Sequence, residues 1–84
     1  MSYMDVIREL NQVKVNANRL STQVATSSGV LKRQSAEIAA MLRGAPSGER
    51  AAQRVNQAAQ GLDKASGRLA ALYQEIASFT QRSR

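Results

Sequence analysis

The chain has 84 residues with no cysteine and no histidine, which excludes disulfides and removes the side chains that most often bind metals or act as general bases. We therefore expect no enzyme activity, no catalytic, metal or cofactor site, and a fold too small to bury a large core without a partner chain. The net charge of +6 is spread along the sequence beside only three aromatic residues, which favours a solvated basic surface or an acidic protein partner over nucleic acid.

The first predicted element is a long helix, from about residue 4 to about residue 43. Ser2, followed by Asp5 three residues later, is typical of a capping box at a helix N-terminus. Apolar residues then recur in alternating steps of three and four, which is the heptad spacing of packed helices. Two of these positions, Ser27 and Gln34, are polar. The predicted core positions are Tyr3, Val6, Leu10, Val13, Ala17, Leu20, Val24, Ser27, Leu31, Gln34, Ile38 and Met41.

One segment of this helix favours an alternative. Residues 26–29 read Thr-Ser-Ser-Gly, which is poor helix sequence, and a glycine inside a helix costs about 1 kcal/mol relative to alanine. A break at this point, which would give three helices, remains open.

A turn is predicted at residues 44–48. Gly44 is placed to end the first helix in a left-handed conformation, and Pro46 cannot continue that helix. Ser47 can cap the second helix, and the carboxylate of Glu49 suits its first turn, where the helix dipole favours negative charge.

The second predicted helix runs from about residue 49 to about residue 82. Its core positions follow the same heptad spacing and are all apolar: Ala51, Val55, Ala58, Leu62, Ala65, Leu69, Leu72, Ile76 and Phe79. A weakly polar flank follows directly after several of these positions, at Ala52, Ala59, Ser66, Tyr73 and Thr80. A stripe this wide suggests more than one neighbouring helix, as in a four-helix bundle.

Together these elements predict an all-α fold, an antiparallel two-helix hairpin that dimerises into a four-helix bundle. Folding the chain about residues 45–46 brings small and polar residues together in a narrow waist at mid-length. The predicted waist consists of Ser27, Gly29, Gln34, Ala58, Gly61 and Ala65. The predicted partner interface consists of Leu62, Leu69, Leu72, Tyr73, Ile76 and Phe79, with Arg54, Arg68 and Arg82 along one edge.

The turn motif Leu42-Arg43-Gly44 and the hairpin layout resemble the WXG family of small secreted helical hairpins, which are substrates of type VII secretion. Those proteins carry a Trp-x-Gly motif in the connecting loop, and Leu42 stands where the family has tryptophan. The family's C-terminal export motif, a tyrosine followed four residues later by an acid, is also missing, because Ala77 follows Tyr73 at that distance.

The resemblance implies a dimer with another hairpin, either an identical chain or one encoded next door and more acidic. It also implies synthesis in the cytoplasm and export without a cleavable signal peptide, with the export motif supplied by the partner. Leu42 would pack against Ala51 or Ala52 and hold the turn. A secretion needle or filament subunit and a chaperone-adaptor for a larger secreted toxin are the alternatives; a basic nucleic-acid-associated protein fits less well. No apolar run approaches the ~18 residues of a membrane span.

Overall fold

The computed structural model describes residues 2–82 and contains two long α-helices joined by a tight loop. Helix α1 spans Tyr3–Met41 and helix α2 spans Pro46–Arg82. They pack antiparallel against each other in a rod 62 Å long, 17 Å wide and 14 Å thick. The predicted all-α hairpin is confirmed.

The N-terminus of α1 is held by the predicted capping box. The backbone N–H of Asp5 donates to Ser2 Oγ at 3.3 Å, and the backbone N–H of Ser2 donates to Asp5 Oδ2 at 3.4 Å. These two bonds satisfy backbone donors that the first turn of a helix leaves without intrahelical partners.

The loop between the helices is shorter than predicted, because α2 begins at Pro46 and not near residue 49. Proline suits the first position of a helix, where its missing N–H is not needed. Ala45, and not Ser47, precedes the helix, and its carbonyl oxygen accepts from the N–H of Gly48 at 3.0 Å and of Glu49 at 3.2 Å. Gly44 has a φ of +87°, so the predicted left-handed backbone at this glycine is confirmed.

Leu42 lies against Gly48, in the first turn of α2. A β-carbon built on Gly48 would overlap Cβ of Leu42, and would stand 3.0 Å from its Cδ1 and 3.1 Å from its carbonyl oxygen. Glycine at position 48 is therefore what allows the first turn of α2 to approach the end of α1.

The weak segment at residues 26–29 remains helical, so the three-helix alternative is wrong. Thr26 Oγ1 donates to the carbonyl oxygen of Thr22 at 3.0 Å, and Ser28 is used in the contact between the helices. Gly29 is exposed, and a β-carbon there would meet nothing within 4 Å.

The glycine contact at the turn generates the first prediction. Gly48→Ala should lower the free energy of unfolding by about 1–3 kcal/mol, because the added methyl group overlaps Leu42 and its backbone. The matched control is Gly67→Ala, at an exposed helical position with open space around it. That variant should be stabilised by about 0.5–1 kcal/mol through helix propensity. Thermal unfolding followed by circular dichroism measures both, and equal melting temperatures for the two variants would contradict the contact.

Candidate functional site

Serine side chains line one side of the contact between the two helices. Ser28 Oγ donates to the carbonyl oxygen of Ala59 at 3.0 Å, and Ser35 Oγ donates to that of Ala52 at 2.7 Å. The two bonded pairs are seven residues apart on each helix. We call these bonds, with the Ser21–Ser66 pair described next, the serine ladder.

Ser21 and Ser66 form the third step of the ladder, and they do so reciprocally. Ser66 Oγ lies 2.9 Å from the carbonyl oxygen of Ser21, Ser21 Oγ lies 3.0 Å from that of Ser66, and the two hydroxyl oxygens are 3.1 Å apart. The serine side chain is short, so its hydroxyl can reach the backbone of the opposite helix only when the two helices lie close together. The distance between the helix axes is then at the lower end of the usual 8–10 Å.

Small residues make this close approach possible. Ala59 is 0% exposed, Ser28 1% and Ala17 3%. Among the described residues no buried side-chain nitrogen or oxygen lacks a hydrogen-bond partner, so the serines are buried without the cost of an unsatisfied polar group.

The ladder shows that the predicted waist has the wrong register. Ser28 faces Ala59 and Ser35 faces Ala52. A fold about residues 45–46 would instead place Ser27 near Ala65 and Gln34 near Ala58. The loop lies earlier in the chain than expected, because α1 ends at Met41 and α2 begins at Pro46. The fold point therefore moves about two residues toward the N-terminus, and the neighbours of the predicted residues fill the interior. Of the predicted waist, Ala65 is half-buried, and the exposed members are Ser27, Gly29, Gln34, Ala58 and Gly61.

The other side of the helix contact is apolar and remains partly open to solvent. Its large side chains are only half-buried, apart from Ile76 at 7% exposure. The half-buried members are Leu10, Val24, Leu31 and Ile38 of α1 and Val55, Leu62 and Leu69 of α2.

Beyond this apolar layer lie further positions of the predicted heptad pattern, and all of them are exposed except the half-buried Ala65. Each outer residue directly precedes a position on the ladder side of its helix and lies three or four residues from the apolar layer. Both helices therefore present their outer residues on the same side of the hairpin. We call this surface the apolar face. Its outer positions are Val6, Val13, Leu20, Ser27, Gln34 and Met41 of α1 and Ala51, Ala58, Ala65, Leu72 and Phe79 of α2.

Several large side chains of the apolar face are well exposed: Val6 38%, Val13 45%, Leu20 47%, Met41 76%, Leu72 39% and Phe79 42%. These residues were predicted as core, and within this chain they are not. Near the open end of the hairpin the face contains a shallow apolar groove of about 240 Å³. It is lined by Leu10, Leu72, Glu75, Ile76 and Phe79.

The predicted partner residues fall into three environments. Leu72 and Phe79 are exposed on the apolar face, and Leu62 and Leu69 are half-buried beneath it. Ile76 is buried inside the hairpin, and Tyr73 is half-buried on the ladder side, where the Lys14 ammonium lies 5.8 Å from its ring centre. The three predicted edge residues, Arg54, Arg68 and Arg82, are exposed.

The side of the hairpin opposite the apolar face is polar. Lys32 Nζ donates to Asp63 Oδ2 at 2.7 Å, linking the two helices. This hydrogen bond, with a further contribution from the nearby Ser28 hydroxyl, holds the pKa of Asp63 below its ordinary value. Both groups are about half exposed, so the pair adds little to stability.

The side chains of residues 2–82 include no cluster of three or more acidic groups that could hold a metal ion. Neither helix is long and apolar enough to cross a membrane. Comparisons with family models, curated proteins and solved structures found no match to this chain.

The register of the ladder can be tested with two adjacent serines. Ser28→Leu should lower the free energy of unfolding by at least about 1–3 kcal/mol, because the larger side chain forces the helices apart. Ser27→Leu, one residue away on the apolar face, should change the stability of the hairpin by no more than about 0.5 kcal/mol at low protein concentration. Chemical denaturation followed by circular dichroism distinguishes them; the reverse order would restore the register predicted from sequence.

Proposed function

We propose that this chain is a non-enzymatic helix-packing protein, and that it forms one half of a four-helix bundle whose other half is a second helical hairpin. The observation that carries the proposal is the apolar face. It holds six large apolar side chains at heptad spacing, each at least 38% exposed, on one side of a rod only two helices thick. Exposed apolar patches of this kind mark contact surfaces in small proteins.

The burial within the hairpin supports the same proposal. The fully buried apolar residues are Ala17, Ala52, Ala59 and Ile76, and three of these are alanines with little surface to remove from water. The leucines and valines that could contribute more are half-buried or exposed. A second hairpin laid on the apolar face would cover them and supply the core that one hairpin lacks.

The narrower part of the proposal is that the pair of hairpins is exported by type VII secretion. It rests on the resemblance to the WXG family, which is supported by the two-helix layout and by Leu42-Arg43-Gly44 at the connecting loop. Tyr73 is not followed four residues later by an acid, and its ring lies beside the Lys14 ammonium. Another protein exported together with this chain would therefore carry the export motif. In a bacterium with a type VII system, a tagged chain should reach the culture medium only when that co-exported protein is present. Retention in the cell under both conditions would contradict export.

Assembly through the apolar face gives a direct test. Leu72→Glu should raise the dissociation constant about ten- to a hundredfold, because it removes roughly 1.5–3 kcal/mol of apolar burial and places a charge in the contact. The control is Ala71→Glu, which adds the same charge one residue away, on the outward side of α2. Sedimentation equilibrium at micromolar concentration measures both. A parent chain that is a fully helical, compact monomer alone and with its genomic neighbours would contradict the proposal.

A further inference from the structure

The two borders of the apolar face differ in charge. Glu9 and Glu37 lie along the α1 border, which is acidic. The α2 border is mainly basic and holds Arg54, Arg68 and Arg82 together with one acid, Glu75. Each of these residues follows an outer position of the face by three residues, which places it beside that position on the helix surface. All six are exposed, and the ion pairs formed among the described residues involve other side chains.

The serine ladder determines the position of each charged border residue along the axis of the rod. Ser35 is level with Ala52. Glu37 lies two residues beyond Ser35 and Arg54 two residues beyond Ala52, in opposite directions, so they are about 6 Å apart along the axis. Helical side chains lean toward the N-terminus, and because these two helices are antiparallel, Glu37 and Arg54 lean toward each other's level.

The same offset recurs along the rod because the ladder repeats every seven residues. It relates Gln23 to Arg68 at mid-length and Glu9 to Arg82 at the open end. An acid of α1 is therefore related by this offset to each of the outer two arginines of α2. The acid of the α2 border, Glu75, is related in the same way to the uncharged Asn16.

These borders are on opposite sides of one hairpin and cannot meet each other within it. We infer that the apolar face is covered by a second copy of this chain, related by a twofold axis along the rod, with both turns at the same end. This inference rests on the proposed function and names the partner. In this arrangement α1 of each copy lies beside α2 of the other, and Glu37 and Glu9 meet Arg54 and Arg82 of the second copy.

The opposite arrangement, with the turns at opposite ends, would bring like charges together. Helix α1 would then lie beside α1 and α2 beside α2. For two fully overlapping hairpins, Glu9 would face Glu37 of the second copy, which sets the acids of α1 against each other. Arg54 would stand near the level of Glu75, and this contact would offset part of the repulsion. With the turns together, both acids of α1 meet arginines and no like charges meet along the borders. Like charges in contact disfavour the pairing that creates them.

The apolar side chains favour the same choice independently. With the turns together, Val13 lies between the levels of Leu72 and Phe79 of the second copy, and Leu20 lies between those of Ala65 and Leu72. With the turns opposed, Val13 and Leu20 would instead face Gln34 and Ser27. The first arrangement gathers the large side chains at the open end and leaves the polar ones beside alanines near the turn.

The net charge of +6 per chain does not prevent this pairing. Repulsion between distant exposed charges is largely screened beyond about 10 Å at 0.1 M salt, whereas the border pairs would be in contact. The charged borders thus determine the relative orientation of the two hairpins, and burial of the apolar face stabilises the dimer.

A spin label at the turn tests the orientation. The chain has no cysteine, so Ser47→Cys accepts a single label on an exposed site. Turns at the same end predict a distance between the two labels of roughly 15–30 Å, from helix spacings of 8–10 Å and the label arms. A distance near the 62 Å length of the rod would overturn the inference and leave the proposed function intact. A monomer without any such distance would contradict both, and assembly only with an acidic hairpin would replace the second copy by that partner.

Charge reversal provides the matching energetic test. Glu37→Arg and Arg54→Glu should each raise the dissociation constant of the dimer about tenfold, and the double variant should recover most of the loss. Arg50→Glu is the control, because it makes the same change near the turn but on the outward side of α2. If the turns were opposed, Glu37→Arg would face Glu9 and tighten the dimer, which would overturn the inference.

Discussion

The hydrogen bonds from serine hydroxyls to the backbone of the opposite helix determine most of this structure. They require the helices to lie close, and closeness requires small residues such as Ala52 and Ala59 where the serines point. Because the bonds repeat every seven residues, they set one register over the whole length of the rod. Because they occupy the small and polar side of each helix, the large apolar side chains are left on the other side. The exposed face is therefore a direct result of how the hairpin closes.

The sequence was sufficient to predict the elements of the fold, for local reasons. The capping box at Ser2 and Asp5 and the left-handed glycine at position 44 depend on a few adjacent residues, and both are present as expected. The helical spacing was correct in both halves. The weak segment around Gly29 stayed helical because Ser28 gains a partner across the seam, an interaction that propensity alone does not contain.

The register and the inward side of each helix could not be predicted in the same way. Apolar residues mark where burial would be favourable, and a stripe wide enough for two contacts does not say which contact is made within the chain. Ser27 was read as a polar defect in a core, whereas its neighbour Ser28 is the residue inside. The signal that would have found the seam is the recurrence of serine at positions 21, 28 and 35, opposite Ser66, Ala59 and Ala52. The same ambiguity mixed exposed Leu72 with buried Ile76 among the predicted partner residues.

The division of each helix into a hydroxyl side and an apolar side also bears on heat capacity. Burying polar surface and burying apolar surface change the heat capacity of folding with opposite signs, so a seam rich in serine has a stability that varies weakly with temperature. Covering a face of leucine, valine and phenylalanine depends on the hydrophobic effect, which weakens on cooling. If hairpins pair through the apolar face as proposed, their association and the closure of each hairpin have different temperature profiles, and cooling would separate the pair before it opens either hairpin.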